Sequence, residues 1–222
     1  MSYLIVFEGT DGSGTTTQGD RLTERLRAAG QPVLRTRQPS DLPIGKLIRE
    51  ALRGTWLPRP AAEPIALLFA ADRADHCNAQ IAPALAAGQV TVCDRYLASS
   101  LAFQVVDGEG GIDAAWLLQA NRAALRPDLT LWLDVPVDEA LQRIDARGAP
   151  RERFEAERTL QAVRERYAAL WRGPPAALGP IVRVDGVGDA DAVQGRVEAA
   201  VAAALPALQP MLAVAGGARS SP

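Results

Sequence analysis

Five short, mostly apolar runs punctuate the chain: Leu4–Phe7, Val33–Thr36, Val90–Cys93, Leu129–Leu133 and Ile181–Val184. Between them lie longer stretches with helical spacing, about Thr16–Ala29, Ile44–Leu52, Pro64–Ala87, Ala114–Ala124, Asp138–Ile144, Arg153–Leu170 and Asp189–Ala203. Near-continuous apolar strands fit burial on both faces. Strands alternating with helices predict an α/β fold, a five-stranded parallel sheet with helices on both faces. One domain is expected over 1–206. Arg53–Pro60, with two prolines and a glycine, reads as a surface loop. Residues 207–222 are expected to form a disordered tail, because Gln209–Pro222 is rich in Ala, Gly, Ser and Pro.

Composition narrows the picture only modestly. A chain of 222 residues supports one domain with a full core. A net charge of −2 gives no broad basic surface that demands nucleic acid. No apolar run approaches the roughly 20 residues of a membrane span, and the N-terminus enters a strand at once with no signal peptide. A cytoplasmic protein is expected. Cys93 is expected as core filler in a reducing compartment, and no Cys/His cluster suggests a structural metal. His76 is the single histidine, which argues against Ser-His-Asp and Cys-His hydrolases. It is expected on a helix surface.

The chemistry begins directly after the first strand. Residues 9 to 17 read Gly-Thr-Asp-Gly-Ser-Gly-Thr-Thr-Thr. The phosphate-binding template is G-x-x-x-x-G-K-[ST]. Gly9 and Gly14 hold its glycine positions and Thr16 its Ser/Thr position, but Thr15 stands where the lysine belongs. Gly12, Ser13 and Thr17 complete the cradle. Inward-pointing backbone N–H groups and the N-terminus of the next helix bind phosphate without lysine. Thr16 offers a hydroxyl to Mg²⁺, which takes oxygen ligands. What is lost is a mobile positive charge, worth roughly 3–4 kcal/mol of barrier by analogy with removal of one transition-state donor.

A second element follows the strand at Val90. Asp94 ends that strand, and Arg95 comes next. An aspartate there supports Mg²⁺ beside a phosphate loop, and an arginine suits phosphate. Ligands of parallel sheets bind at this carboxyl edge.

These segments resemble the thymidylate kinase family of P-loop nucleoside monophosphate kinases. Phe7–Gly14 looks like the family's loop. Leu68-Phe69-Ala70-Ala71-Asp72-Arg73-Ala74 looks like its thymine-binding helix. Asp94-Arg95-Tyr96 and Ser99-Ser100-Leu101-Ala102-Phe103-Gln104 look like its signature segment. Pro127–Asp134 looks like its fourth strand, and Glu152-Arg153-Phe154-Glu155 like the end of its lid. The likeness covers roughly residues 3 to 186, in the family's order and spacing.

The resemblance implies transfer of the γ-phosphoryl group of ATP, with Mg²⁺, to dTMP, giving dTDP for dTTP synthesis. It implies a homodimer and a lid at about 143–155. Asp11 would lie at the sugar 3′-hydroxyl and magnesium environment. Phe69 would stack on thymine, Arg73 would bond the base, and Ser99, Ser100 and Gln104 would line and read its edge. Phe103 would sit under the sugar and crowd a 2′-hydroxyl. Arg95 and Arg37 would hold the acceptor phosphate. Arg143 would flank ATP, and Arg147, Arg151 and Arg153 would approach the transferring phosphoryl group, where arginine stabilises spread charge. These lid arginines could cover charge that Thr15 does not supply.

Two departures keep alternatives open. Beside Thr15, the family segment Thr-Arg-Glu-Pro-Gly reads Thr36-Arg37-Gln38-Pro39-Ser40 here, so a carboxylate is missing at Gln38. A degenerate protein that binds nucleotide without efficient turnover is one alternative. A kinase for another nucleoside monophosphate is the other.

Overall fold

The computed structural model describes residues 1–53, 60–107, 111–146 and 156–213. In chain order the strands are β1 (Tyr3–Gly9), β2 (Val33–Arg37), β3 (Val90–Asp94), β4 (Leu129–Asp134) and β5 (Ile181–Asp185). They fall on the five apolar runs and form one all-parallel sheet in the order β2-β3-β1-β4-β5. Parallel pairing requires crossovers, and helices supply them.

Two apolar layers sandwich the sheet. Ile5 and Phe7 on one face pack with Leu22 and Leu26 of α1 (Thr15–Ala28) and with Val193, Val197 and Val201 of α10 (Ala190–Ala204). Leu4, Val6, Cys93 and Trp132 on the other face pack with Ile81, Leu101, Val163 and Tyr167. Cys93 is fully buried, as expected of core filler.

The remaining helices carry most of the site. The long helix expected over Pro64–Ala87 is α3 (Ala62–His76), a π-helical turn at Cys77–Ile81 and α4 (Ala82–Ala86). A second broken helix follows β3: α5 (Leu97–Ser99), a π-helical turn at Ser100–Gln104 and α6 (Val105–Asp107). The sequence reading did not assign it as an element. α7 (Ala114–Ala120), α8 (Val137–Ala146) and α9 (Glu157–Arg172) precede β5, and α2 (Pro43–Leu52) follows β2.

Two expectations are corrected. A 3₁₀ turn at Pro206–Leu208 and α11 (Gln209–Ala213) extend the fold to 213, with Leu208 and Leu212 buried in the core. The segment expected as a disordered tail from 207 is therefore ordered over its first seven residues, because its few leucines are spaced to reach the core. Residues 214–222 lie outside the described residues, as does most of the Arg53–Pro60 loop. His76 is fully buried, not on a helix surface.

Candidate active site

The phosphate loop spans the gap between β1 and α1. Gly12 (φ 78°) and Gly14 (φ 89°) lie in the left-handed region, where glycine is the unstrained choice. A Cβ on Gly12 would also stand 2.4 Å from the Ala140 carbonyl oxygen. The loop thus rests directly on α8. Ser13 donates its backbone N–H to the Thr10 carbonyl at 3.2 Å, closing the turn. Gly14 caps α1 with no side-chain bond, so the first-turn N–H groups stay available to an anion. Thr15, at the position of the lysine, is buried. Thr16 and Thr17 are exposed.

Beside this loop, the Thr16 hydroxyl donates to Asp94 Oδ2 at 2.5 Å. Asp94 is buried, and its Oδ1 has no hydrogen-bond partner. An unsatisfied buried carboxylate oxygen is costly unless a ligand completes it. A hydroxyl and a carboxylate are hard oxygen donors that suit Mg²⁺, which usually takes only one or two protein ligands and fills the rest with water and phosphate. The residues therefore fit the ion that the fold implies. Among the described residues no group of three or more His, Cys, Asp or Glu could hold a metal.

Arg35 is a neighbour that sequence reasoning did not single out. Its guanidinium bonds Asp20 at 2.7 Å and the Thr16 carbonyl at 3.3 Å, and lies 3.7 Å from Asp94. It lies against Gly19, where a Cβ would stand 3.0 Å from Nη2. An arginine on an edge strand gave no motif signal.

Arg143 lies on the loop's other flank. It donates to the Gly186 carbonyl at 2.9 Å and the Gly188 carbonyl at 3.2 Å, pairs with Glu139, and approaches the Gly12 carbonyl at 3.5 Å. The expected lid runs beyond it. Arg147, Arg151 and Arg153 lie outside the described residues.

Next to the loop, at the carboxyl edge of the sheet, opens a cavity of about 210 Å³. Asp11, Arg37, Phe69, Arg73, Arg95, Ser99, Ser100, Phe103 and Gln104 all line it, together with Asp94, Tyr96, Gln38, Pro39 and Leu52. Every residue expected at an acceptor site is thus brought to one cavity.

Arg95 joins cavity and loop. Its backbone holds φ 64°, a left-handed conformation that a non-glycine residue adopts only when its surroundings over-determine it. Its backbone N–H bonds the Phe7 carbonyl at 2.8 Å. Its side chain bonds the Gly9 carbonyl at 2.6 Å and Asp11 at 2.5 Å, and lies 4.8 Å from the Phe103 ring centroid. Burial opposes its charge, but Asp11, Tyr167, Asp94 and Glu8 outweigh it, and its pKa rises further above the ordinary range. It remains a fixed cation.

The cavity wall is built by buried polar groups. Arg73 donates to Gln38 Oε1 at 2.8 Å, to the Tyr96 carbonyl and Ser100 Oγ at 2.9 Å each, and to Asn121 Oδ1. Glu8, fully buried, accepts from Tyr96 N at 2.8 Å, Ser99 Oγ at 2.5 Å and the Tyr167 hydroxyl at 2.9 Å. Burial pushes its carboxyl pKa up, against the pull of Ser99, Arg95 and Tyr167. Gln104 Oε1 is buried with no partner, an unused acceptor in the wall. Arg37 is exposed and pairs with Asp41 at 2.8 Å.

Comparison with known proteins agrees with this arrangement. A family model described as "Thymidylate kinase" matches residues 7–178. The chain is 45% identical over 171 residues to a "Probable thymidylate kinase" of Pyrococcus horikoshii, covering 76% of this chain and 82% of that one. It is 42% identical over 200 residues to a "Thymidylate kinase" of Thermomicrobium roseum, covering 84% and 93%. It is 43% identical over 207 residues to a "Thymidylate kinase" of a Synechococcus species, covering 91% and 96%.

Proposed function

The chain belongs to the thymidylate kinase family, and from that premise we propose how its loop and cavity carry the γ-phosphoryl group of ATP to dTMP. It phosphorylates dTMP to dTDP; neither a non-catalytic binder nor a kinase for another acceptor is favoured by its relatives.

The observation that carries the residue-level reading is the Arg95–Asp11 pair, which joins the aromatic cavity to the phosphate loop. In this reading the base enters between Phe69 and the wall formed by Arg73, Ser100 and Gln104. Gln104 Oε1, which lacks a partner, accepts from the imide N–H of thymine. Arg95 and Arg37 hold the acceptor phosphate, and Asp11 fixes Arg95 and the sugar hydroxyl beside it. Phe103 lies under the sugar. The acceptor oxygen is already ionised near neutral pH, so the residues need supply alignment and charge, not a strong base.

The N–H groups of Gly12 to Thr17 cradle the phosphates of ATP, and Arg143 flanks them. The Thr16 hydroxyl and Asp94 carboxylate would hold Mg²⁺, which when bound offsets negative charge on the ATP phosphates. Arg147, Arg151 and Arg153 are assigned to the charge that spreads over the transferring group. A homodimer through α3, whose Leu67 is exposed, and a cytoplasmic setting belong to the same reading. No helix among the described residues is long and apolar enough to cross a membrane.

The test is ADP formation by purified protein with Mg-ATP, comparing dTMP with dUMP, dCMP, AMP and no acceptor, with Thr15→Lys alongside. Turnover that depends on dTMP supports the reading. Turnover appearing only in Thr15→Lys would reduce the native chain to a binder.

A further inference from the structure

The single histidine lies at the centre of a buried polar chain. Thr36 Oγ1 lies 2.7 Å from His76 Nε2, and Gln38 Nε2 lies 3.2 Å from His76 Nδ1. Gln38 Oε1 in turn accepts from Arg73 Nε at 2.8 Å. Arginine has donors only, so the oxygen of the Gln38 amide must face Arg73. The Gln38 NH₂ group then faces His76 Nδ1, which must accept and carries no proton. The ring proton therefore sits on Nε2 and is donated to Thr36. The Arg73 and Gln38 contacts thus assign one neutral tautomer, and in that tautomer the ring holds the Gln38 amide with its oxygen toward Arg73.

The groups around the ring divide. Burial disfavours its charged form most strongly, and Arg73 adds to this, while Asp72, Gln80 and Asp41 favour charge. The balance lowers its pKa. Asp72 is itself committed to the Ser40 N–H and hydroxyl, at 2.8 and 2.5 Å.

We propose that Gln38 and the neutral His76 are positioning residues of the acceptor cavity, the imidazole fixing the Gln38 amide and the amide oxygen fixing the Arg73 guanidinium along the wall. Where resemblance leads one to expect glutamate at this position, glutamine does the same holding without a second charge. A carboxylate at 38 has no N–H to give Nδ1, so the ring would have to carry a proton on Nδ1, by switching tautomer or by protonating. The link from wall to catalysis rests on the reading that this cavity takes dTMP.

Because the chain has one histidine, two-bond ¹H–¹⁵N correlation spectra of the labelled full-length protein report this ring alone. The expected spectrum is the Nε2–H tautomer near neutral pH, titrating below the ordinary histidine value. Gln38→Glu moves the titration above that value. An Nδ1–H tautomer, or a titration unchanged by Gln38→Glu, overturns the proposal whether or not dTMP is the acceptor. In kinetics, Gln38→Leu raises the KM for dTMP on the order of tenfold with little change in the KM for ATP, as loss of one bond to a charged group predicts. An equal rise in both KM values would reduce Gln38 to a packing residue and sink the proposal.

Discussion

Thr16 and Asp94 come from different strand–helix units, yet the Thr16 hydroxyl donates to Asp94 Oδ2 at 2.5 Å while Oδ1 of the same carboxylate is buried without a partner. One oxygen is committed to the phosphate loop and the other is unused. That division suits a carboxylate that positions the loop hydroxyl and still has an electron pair for a cation. Asp94→Asn keeps an acceptor for Thr16 but removes the charge. It is expected to lower turnover on the order of 100-fold and to raise the Mg²⁺ concentration for half-maximal rate. Binding of dTMP without metal should change far less than the magnesium dependence, which calorimetry can check. An unaltered magnesium dependence would refute the assignment.

Gly12 is required twice, by its φ of 78° and by the Ala140 carbonyl 2.4 Å from any Cβ. Gly12→Ala must therefore move either the loop or α8. The expected cost is about 1–3 kcal/mol of stability in denaturant titrations, from backbone strain alone. Loss of ATP binding should exceed that of dTMP binding, because the loop and α8, which carries Arg143, both flank the proposed ATP phosphates. Equal loss of both ligands would mean a general collapse instead.

Much of this was legible in the sequence. Each strand is a mostly apolar run because both sheet faces are covered, and the loop and Asp94 are readable because their spacing is chemical. What was hidden depended on long-range partners. His76 looks like a polar helix residue, and Thr36 and Gln38, some 40 positions earlier, meet its two ring nitrogens. Arg35 gains its place from Gly19 across a helix face. Leu97 and Leu101 are buried along the broken helix after β3, but that segment is too short and serine-rich for periodicity to announce it. Leu208 and Leu212 have helical spacing that a composition-based reading of the tail overlooks.

Glu8 offers a pH test. Its carboxyl value is raised above the ordinary 4.5 mainly by burial, so the folded state holds its proton more tightly than the unfolded chain does. That contribution to stability is fully present below the unfolded value and is lost as pH rises through the raised folded value. Glu8→Gln keeps an acceptor for Tyr96 N and an N–H for Ser99 or Tyr167, yet cannot ionise. The variant should lack this part of the decline in Tm on the alkaline side of 4.5. A parallel Tm–pH curve for both proteins would show that Glu8 does not titrate abnormally. Glu8→Ala, which strands several buried donors, should cost about 1–3 kcal/mol per unpaired group and lower Tm throughout.

The absence of the loop lysine can be tested by comparing Thr15 with Arg143. Thr15 is buried at the first position of α1 and contributes at most a neutral hydroxyl. Removing such a group costs about 0.5–1.5 kcal/mol, roughly tenfold at most in rate or affinity. Arg143 reaches the Gly12 carbonyl, Glu139 and the carbonyls of Gly186 and Gly188, so it ties the loop to α8 and to the segment after β5. Losing a charged donor of this kind costs about 1.5–3 kcal/mol, on the order of 10- to 100-fold. Arg143→Ala should therefore raise the KM for ATP by at least tenfold, with the KM for dTMP little changed, while Thr15→Ala stays within tenfold of the parent in every constant. Steady-state kinetics with each substrate varied in turn decides the matter. If Thr15→Ala proved the more damaging of the two, charge at the loop would have to come from somewhere other than this flank, and the lid arginines Arg147, Arg151 and Arg153 would be the next to replace one at a time.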